Sequence, residues 1–466
     1  MPEAPSTERQ STAADRLSLR RALSNATPEL QQLAGYEPLT LWEHDTAALP
    51  ETLRMLRQHT RHFAQQQIAP RALAADLFPH DRDVENEVLA AAFAAGLFGN
   101  QVPVAADGAA TCGKESLSLD DFPLAWSASI RSEELAAACG GWALLLAAHA
   151  LGATPLVLSG DRAAMKRVFE KAKAKGASGQ PYLFAYAITE PAAGSDVEDS
   201  AGASDARPTT VARRTEGGWL LNGRKVFTSG GDIADAVMVF AALEEDGAPA
   251  SFNTWTCFMV ERDSSGFARI RNEEKMGQRA SAATELELSD AFVPDENVIG
   301  GLRQGWALNL ATLNVSRIPV AAIALGIARG AMEAAIEFAC RHRIAGDPLI
   351  ERQEIQLQIA GMIAQTGSMR ATIWEHARRP VPTQTAASLT KVSCSDAALR
   401  ICESAMLLLS NHGVLHQYGV EKALRDVRLT QIYEGTNEIN RLAIIEDLRS
   451  TFTNSSEGEV AEALSR

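Results

Sequence analysis

None of the six cysteines forms a C-x-x-C pair, no H-E-x-x-H occurs, and no G-x-G-x-x-G follows a strand-like run. The first two absences remove a zinc pattern and a disulfide framework, so no metal is expected. They favour a reducing compartment, read as cytoplasmic with a mitochondrial matrix location also open. The third removes the usual dinucleotide fingerprint. Basic charge is not in excess: 44 Lys and Arg stand against 58 Asp and Glu, a formal charge of −14, which argues against nucleic acid as a main partner. No unbroken apolar run reaches the ~18 residues of a membrane span. The N-terminal stretch carries Glu3, Glu8 and Asp15 and has no apolar centre, unlike a transit peptide or a secretory signal. What is present is an ordinary globular composition, 46% hydrophobic and 22% charged over 466 residues.

Periodicity divides the chain into an α, β, α order. Residues 1–40 are read as a disordered leader. Over 41–181 the apolar spacing is helical, with Leu53, Leu56 and Phe63, then Val88, Leu89, Ala92 and Phe93, then the Ala- and Leu-rich run 135–151. The stretch 104–123 has no period and reads as a loop. Over 182–300 short strand-like runs (182–189, 210–213, 219–221, 236–241, 254–260, 285–292) alternate with turns, as in a compact barrel or sandwich. Asn222-Gly223 is a hairpin signal. Over 301–452 helical patterns return (318–341, 354–378, 383–409, 421–432), and long helices with short connections predict an antiparallel bundle. Residues 453–466 read as a frayed tail. The fold class is therefore α+β.

Two segments invite chemistry. In Tyr433-Glu434-Gly435-Thr436-Asn437-Glu438 one carboxylate sits beside an aromatic and a flexible glycine, which suits proton abstraction. The same residues also make a plain helix start, with Thr436 as N-cap and Glu438 in the first turn. In Tyr186-Ala187-Ile188-Thr189-Glu190-Pro191-Ala192-Ala193-Gly194-Ser195-Asp196 a strand runs into a tight bend that offers backbone N–H groups and a hydroxyl to a ligand. An ordinary hairpin turn is the alternative.

Four segments in order settle the family expectation. AYAITEPAAGSD (185–196), GWLLNGRKVFTSGG (218–231), EEKMGQRASAATELELSDAFVPDENVIG (273–300) and RDVRLTQIYEGTNEINRL (425–442) resemble the acyl-CoA dehydrogenase family. The resemblance implies an N-terminal α domain, a middle β domain and a C-terminal four-helix bundle. It also implies FAD between the last two, an acyl-CoA substrate, and a homotetramer whose neighbouring subunit contributes to the flavin site. A homodimer or hetero-oligomer is also open. Electron-transfer flavoprotein is the implied acceptor. The implied reaction is loss of an α proton and a β hydride, giving the trans-2-enoyl-CoA.

By position, the resemblance makes Glu434 the base and Gly435 the glycine that lets substrate approach. Flavin contacts fall on Tyr186, Ile188, Thr189, Gly194, Ser195, Phe227, Thr228, Ser229, Thr436 and Glu438, with Phe227 against the ring. Ser195 also faces substrate, and Asn314 and Arg317 line the acyl-CoA channel. Where some relatives carry the base on a bundle helix, this chain has Ser316, which is no carboxylate. Two segments depart from the family pattern. At Arg341-His342-Arg343-Ile344-Ala345-Gly346-Asp347-Pro348, His342 takes the place of the pyrophosphate-binding Arg. Arg341 or Arg343 is left for the phosphates, with Arg343 taken as the contact, and Gln353 matches a further flavin contact. At Leu407-Leu408-Leu409-Ser410-Asn411-His412-Gly413, Leu407 and Ser410-Asn411 replace the usual Gln and paired glycines. The other readings carried forward are a flavin-dependent oxidase, monooxygenase or desulfinase relative, and a non-catalytic partner subunit.

Overall fold

The computed structural model describes residues 25, 27–30, 40–98, 111–112, 115–116, 119, 121–198, 207–245 and 249–453. Almost all of the expected leader and of the tail, and most of the 104–123 loop, lie outside the described residues. Residues 1–50 form a unit of their own. In it α1 (Leu41–Ala47) begins with a capping box, the Thr40 N–H donating to Glu43 Oε2 at 2.8 Å and the Glu43 N–H to Thr40 Oγ1 at 3.3 Å.

The second unit opens with α2 (Glu51–Phe63), α3 (Ala72–Leu77) and α4 (Arg82–Ala94), followed by α5 (Leu124–Ala138), α6 (Gly140–Leu158) and α7 (Arg162–Gly176). The cap residues are legible in the chain: Asp81 accepts from the N–H groups of Asp83 and Val84, and Asp161 from those of Ala163 and Ala164. The core helices α5 and α6 are buried nearly all round, so the charges of α5 must be paired inside. Arg57 donates to Glu134 at 2.8 Å, Arg370 to Glu133 at 2.6 Å and Arg329 to Glu134 at 2.8 Å. Burial opposes ionisation of Glu133, but Arg370, Arg57 and Arg329 together hold its carboxyl far below the usual range. This cluster ties the N-terminal helices to the bundle.

The middle of the chain is one eight-stranded mixed sheet: β1 (Phe184–Ala187), β2 (Val211–Thr215), β3 (Gly218–Ser229), β4 (Ala236–Leu243), β5 (Trp255–Glu261), β6 (Phe267–Asn272), β7 (Ala283–Pro294) and β8 (Val298–Ile299). The order is β8-β5-β4-β2-β3-β7-β6, with β1 pairing parallel to β4. Period-two alternation splits β4 between two apolar layers. Ala236, Met238, Phe240 and Ala242 pack with Tyr186 and Trp255, while Val237, Val239, Ala241 and Leu243 pack with Trp219 and Leu286.

The sheet corrects three readings. Asn222-Gly223 is no hairpin turn but a register shift inside β3, and the turn into β3 is at Glu216-Gly217. A Cβ at Gly223 would lie 2.6 Å from Thr210 Cα, so the glycine answers a close approach of backbones. Strand β3 is twelve residues long, far beyond 219–221. Strand β6, FARIRN, lacked a strong apolar signal because its side chains alternate between half-buried and exposed.

The C-terminal part holds α8 (Gly305–Arg341), α9 (Gln353–Ala377), α10 (Gln384–Leu409), α11 (Val420–Leu429) and α12 (Asn437–Thr453). Helix α8 starts thirteen residues before the expected Ile318 and runs through Pro319. That proline has no N–H for the Val315 carbonyl, one turn back. By length and composition α6 and α8 could cross a membrane, but 72% and 67% of their apolar windows are buried inside the protein, as in core helices.

Candidate active site

A cavity of about 540 Å³ opens between the sheet, α5, α6, α8 and the turn before α12. Its walls bring together Tyr186, Ile188, Thr189, Gly194, Ser195, Phe227, Ser229, Glu434, Gly435 and Thr436, drawn from segments far apart in sequence. Thr228, Asn314, Arg317, Arg343, Gln353 and Glu438 do not line it.

Glu434 and Gly435 both have left-handed backbone, with φ of 54° and 81°. For glutamate that conformation is disfavoured by roughly 1–2 kcal/mol, so the surroundings must hold it. They do so through the carbonyls. Arg317 Nε donates to the Glu434 carbonyl at 3.3 Å, Lys391 Nζ to the Gly435 carbonyl at 2.6 Å, and Asn440 Nδ2 to the carbonyls of Gly435 and Thr436 at 2.9 and 3.0 Å. Lys391, Asn440 and Arg317 are all buried. The side chain is held separately: Ser316 Oγ donates to Glu434 Oε2. Ser316, excluded as a base, is thus the base candidate's hydroxyl partner. Beside it, burial and the Glu434 charge push the Tyr433 phenol up, and Gln278 Nε2 lies 3.4 Å from the phenol oxygen. Gln278 also donates to the Asp426 carbonyl at 2.8 Å, joining the 273–283 segment to α11. The helix start is real as well: the Ile439 N–H donates to Thr436 Oγ1 at 3.3 Å, and Glu438 lies exposed in the first turn.

On the opposite wall, Thr189 and Ser195 flank a bend organised by Glu190. Its carboxylate accepts from the Thr209 N–H at 2.6 Å, the Thr210 N–H at 3.1 Å and Lys225 Nζ at 2.9 Å. Lys225, fully buried, also donates to the Ile188 carbonyl at 2.9 Å. Burial works against both charges. It pushes the Lys225 ammonium down, whereas Lys225 and Thr209 outweigh it at Glu190 and hold that carboxyl at about 2. Neither residue was singled out from sequence, although Glu190 lies in the strand-to-bend motif. A second register shift in β3, between Lys225 and Thr228, gives Phe227 a φ of 57° and turns its ring out of the sheet core; it is 61% exposed. Thr228, next to it, is buried with Oγ1 unpaired.

The two departures from the family pattern meet elsewhere. His342 stacks on Phe338 with ring centroids 4.7 Å apart and lies 5.2 Å from His412. Arg343 donates to the Gly346 carbonyl at 2.8 Å in a tight hairpin, and Leu407 is exposed nearby in sequence.

One cavity of this α–β–α fold thus joins a carboxylate, an outward aromatic and a hydroxyl-lined bend, an arrangement suited to proton abstraction beside a bound planar group. Three family models match in order: the acyl-CoA dehydrogenase N-terminal domain over residues 50–175, the middle domain over 185–291 and the C-terminal domain over 303–448. An acyl-CoA dehydrogenase of Bacillus subtilis is 33% identical over 84% of this chain and 96% of its own length. A cyclohexane-1-carbonyl-CoA dehydrogenase of Geobacter metallireducens is 30% identical over 85% and 97%. The solved butyryl-CoA dehydrogenase of Megasphaera elsdenii superposes with a TM-score of 0.74 at 28% identity, covering 86% of this chain and 98% of that one. The chain belongs to the acyl-CoA dehydrogenase family, FAD-dependent oxidoreductases that act on the CH–CH bond of acyl-CoA.

Proposed function

We propose that the protein converts an acyl-CoA to the trans-2-enoyl-CoA, with Glu434 as the α-proton base. The observation that carries this is the convergence of Glu434 with the strand-end residues Tyr186–Thr189, Ser195 and Phe227 on one cavity. FAD fits that wall: an exposed aromatic sits at a strained bulge, with hydroxyls at Thr189, Ser195 and Ser229 around it. When bound there, FAD supplies the acceptor for the β hydride. Phe227 would lie along the ring with Thr189 at its edge and Ser195 in the same bend, and Thr436 belongs to the segment that would meet the adenine half. Glu434 takes the α proton from a position fixed by its left-handed turn and by Ser316. The apolar walls from α5, α6 and α8 exclude water from the acyl chain.

Arg343, Gln353 and the segment 407–413 stand outside this cavity. From the family likeness we infer a homotetramer in which the 407–413 segment meets the flavin of a neighbouring copy. Electron-transfer flavoprotein is the acceptor for the reduced enzyme in this reading.

The test is anaerobic bleaching of the flavin by acyl-CoA. Glu434→Gln should keep FAD and slow bleaching by roughly 10²–10⁴-fold. Bleaching at the normal rate would sink the assignment of the base. Rapid oxygen consumption by the acyl-CoA-reduced protein in air would favour an oxidase.

A further inference from the structure

Lys275 lines the cavity and has no part in the chemistry above. Its place follows from strand pairing. Strand β7 begins at Ala283, the register partner of Ser229, and Thr284 pairs with Thr228. The chain before β7 folds back on itself. The Glu273 N–H donates to the Ala283 carbonyl at 2.8 Å, the Gly230 N–H to the Ala282 carbonyl at 3.0 Å, and Lys275 Nζ to the Ser281 carbonyl. Lys275 is thereby hooked to the end of the β3–β7 pair, on the wall of Phe227 and Ser229. The same segment is pinned to α11, with Arg425 donating to the Met276 carbonyl at 2.7 Å and the Gln278 N–H donating to Asp426 Oδ1.

Among the described residues the Lys275 ammonium has one hydrogen-bond acceptor, and that acceptor is a neutral carbonyl. The charges that reach it are Asp426 of α11, Asp232 of the turn after β3 and Arg279 of its own segment. Burial outweighs the two carboxylates and pushes the ammonium down to about 8. A cation so placed gains from an anion beside it. The reaction read above creates one on this wall. The substrate gives its α proton to Glu434 and a hydride, two electrons and a proton, to FAD. One negative charge is thus neutralised at Glu434 and one appears on the flavin. A fixed cation on the flavin side favours that transfer.

We propose that Lys275 stabilises the reduced flavin electrostatically, raising its potential and so favouring dehydrogenation. The inference rests on the flavin site and the reaction read above. The test is a reductive titration of the FAD-loaded protein with dithionite against a reference dye, with no acyl-CoA present. Lys275→Met should lower the potential by about 30 mV, a tenfold change in a two-electron equilibrium. Lys275→Arg should keep most of the wild-type value. Lys171→Met, which removes an exposed lysine paired with Glu261, should change it little. A second reading needs no variant. A negative flavin raises the Lys275 pKa above about 8, so between the two values reduction takes up one extra proton. The wild-type potential should therefore fall more steeply with pH above about 8 than below it. If Lys275→Met does not retain FAD, that break alone decides. An unchanged potential in Lys275→Met, an equal drop in Lys171→Met, or a wild-type profile without the break would overturn the role of Lys275 and leave the dehydrogenase reading intact. A lowered potential in Lys275→Met, with no acyl-CoA able to bleach the wild-type protein, would keep that role and overturn the dehydrogenase reading.

Discussion

Replacing Lys225 with Met tests how the cavity wall that carries Thr189 and Ser195 is held. The substitution keeps most of the side-chain volume and removes only the ammonium. Its two acceptors, the Ile188 carbonyl and Glu190 Oε1, each lose a bond of 2.9 Å, and Glu190 is left as a buried carboxylate without its cation. Removing one partner of a buried pair costs about 3–5 kcal/mol. The sign of the Glu190 effect follows from its depressed pKa. The stabilisation it brings is present above its ordinary value of 4.5 and is lost as pH falls toward about 2. Without Lys225 that acid-side loss begins at higher pH. Melting, followed by release of flavin fluorescence, should come about 3–5 °C earlier near neutral pH. Flavin affinity should fall too, because Thr189 and Ser195 ride on the bend that Glu190 organises. The double variant Glu190→Gln/Lys225→Met should recover part of the loss, since burial works against both charges. An unchanged melting point and full flavin content in Lys225→Met would refute the idea that this pair holds the wall.

Two further outcomes are expected. Ser316→Ala should keep FAD and acyl-CoA binding, slow anaerobic bleaching several-fold and move the acid limb of its pH profile upward, because the Glu434 carboxylate loses a hydroxyl donor; an unchanged rate and profile would remove Ser316 from the machinery. His149 is buried and accepts from the Phe184 N–H at 3.1 Å, and burial pushes its pKa down to about 4. It binds a proton in the unfolded chain before it does so in the folded one, so stability should fall by about 3 kcal/mol as pH drops from 6.5 to 4. Denaturant midpoints across that window should flatten in a His149→Asn variant.

The α, β, α order and the bundle were legible in the chain because each rests on local period, and the residues that meet on the cavity because they lie in contiguous motifs. Glu434, Thr189 and Ser195 fell on one cavity for that reason. What was hidden depends on pairs distant in sequence. Ser316 lies 118 positions from its partner Glu434, and Lys225 lies 35 from Glu190. Neither spacing has a periodic trace. Phe227 resembles a β-core aromatic by pattern, and only the register shift beside it turns the ring outward. Asn222-Gly223 misled because a glycine required by a neighbouring backbone looks the same in sequence as one required by a turn.

Helix α8 has 37 residues, a rod of about 55 Å. Its first residue is wedged against the Trp255–Thr256 backbone, its fourth turn holds the Glu434 carboxylate through Ser316, and its last turn carries the Phe338–His342 stack. The one softened joint is the turn where Pro319 leaves the Val315 carbonyl without its helical donor, and Ser316 lies within that turn. The contact between Ser316 and Glu434 therefore sits at the most compliant turn of a rod that otherwise ties the sheet to the stacked rings.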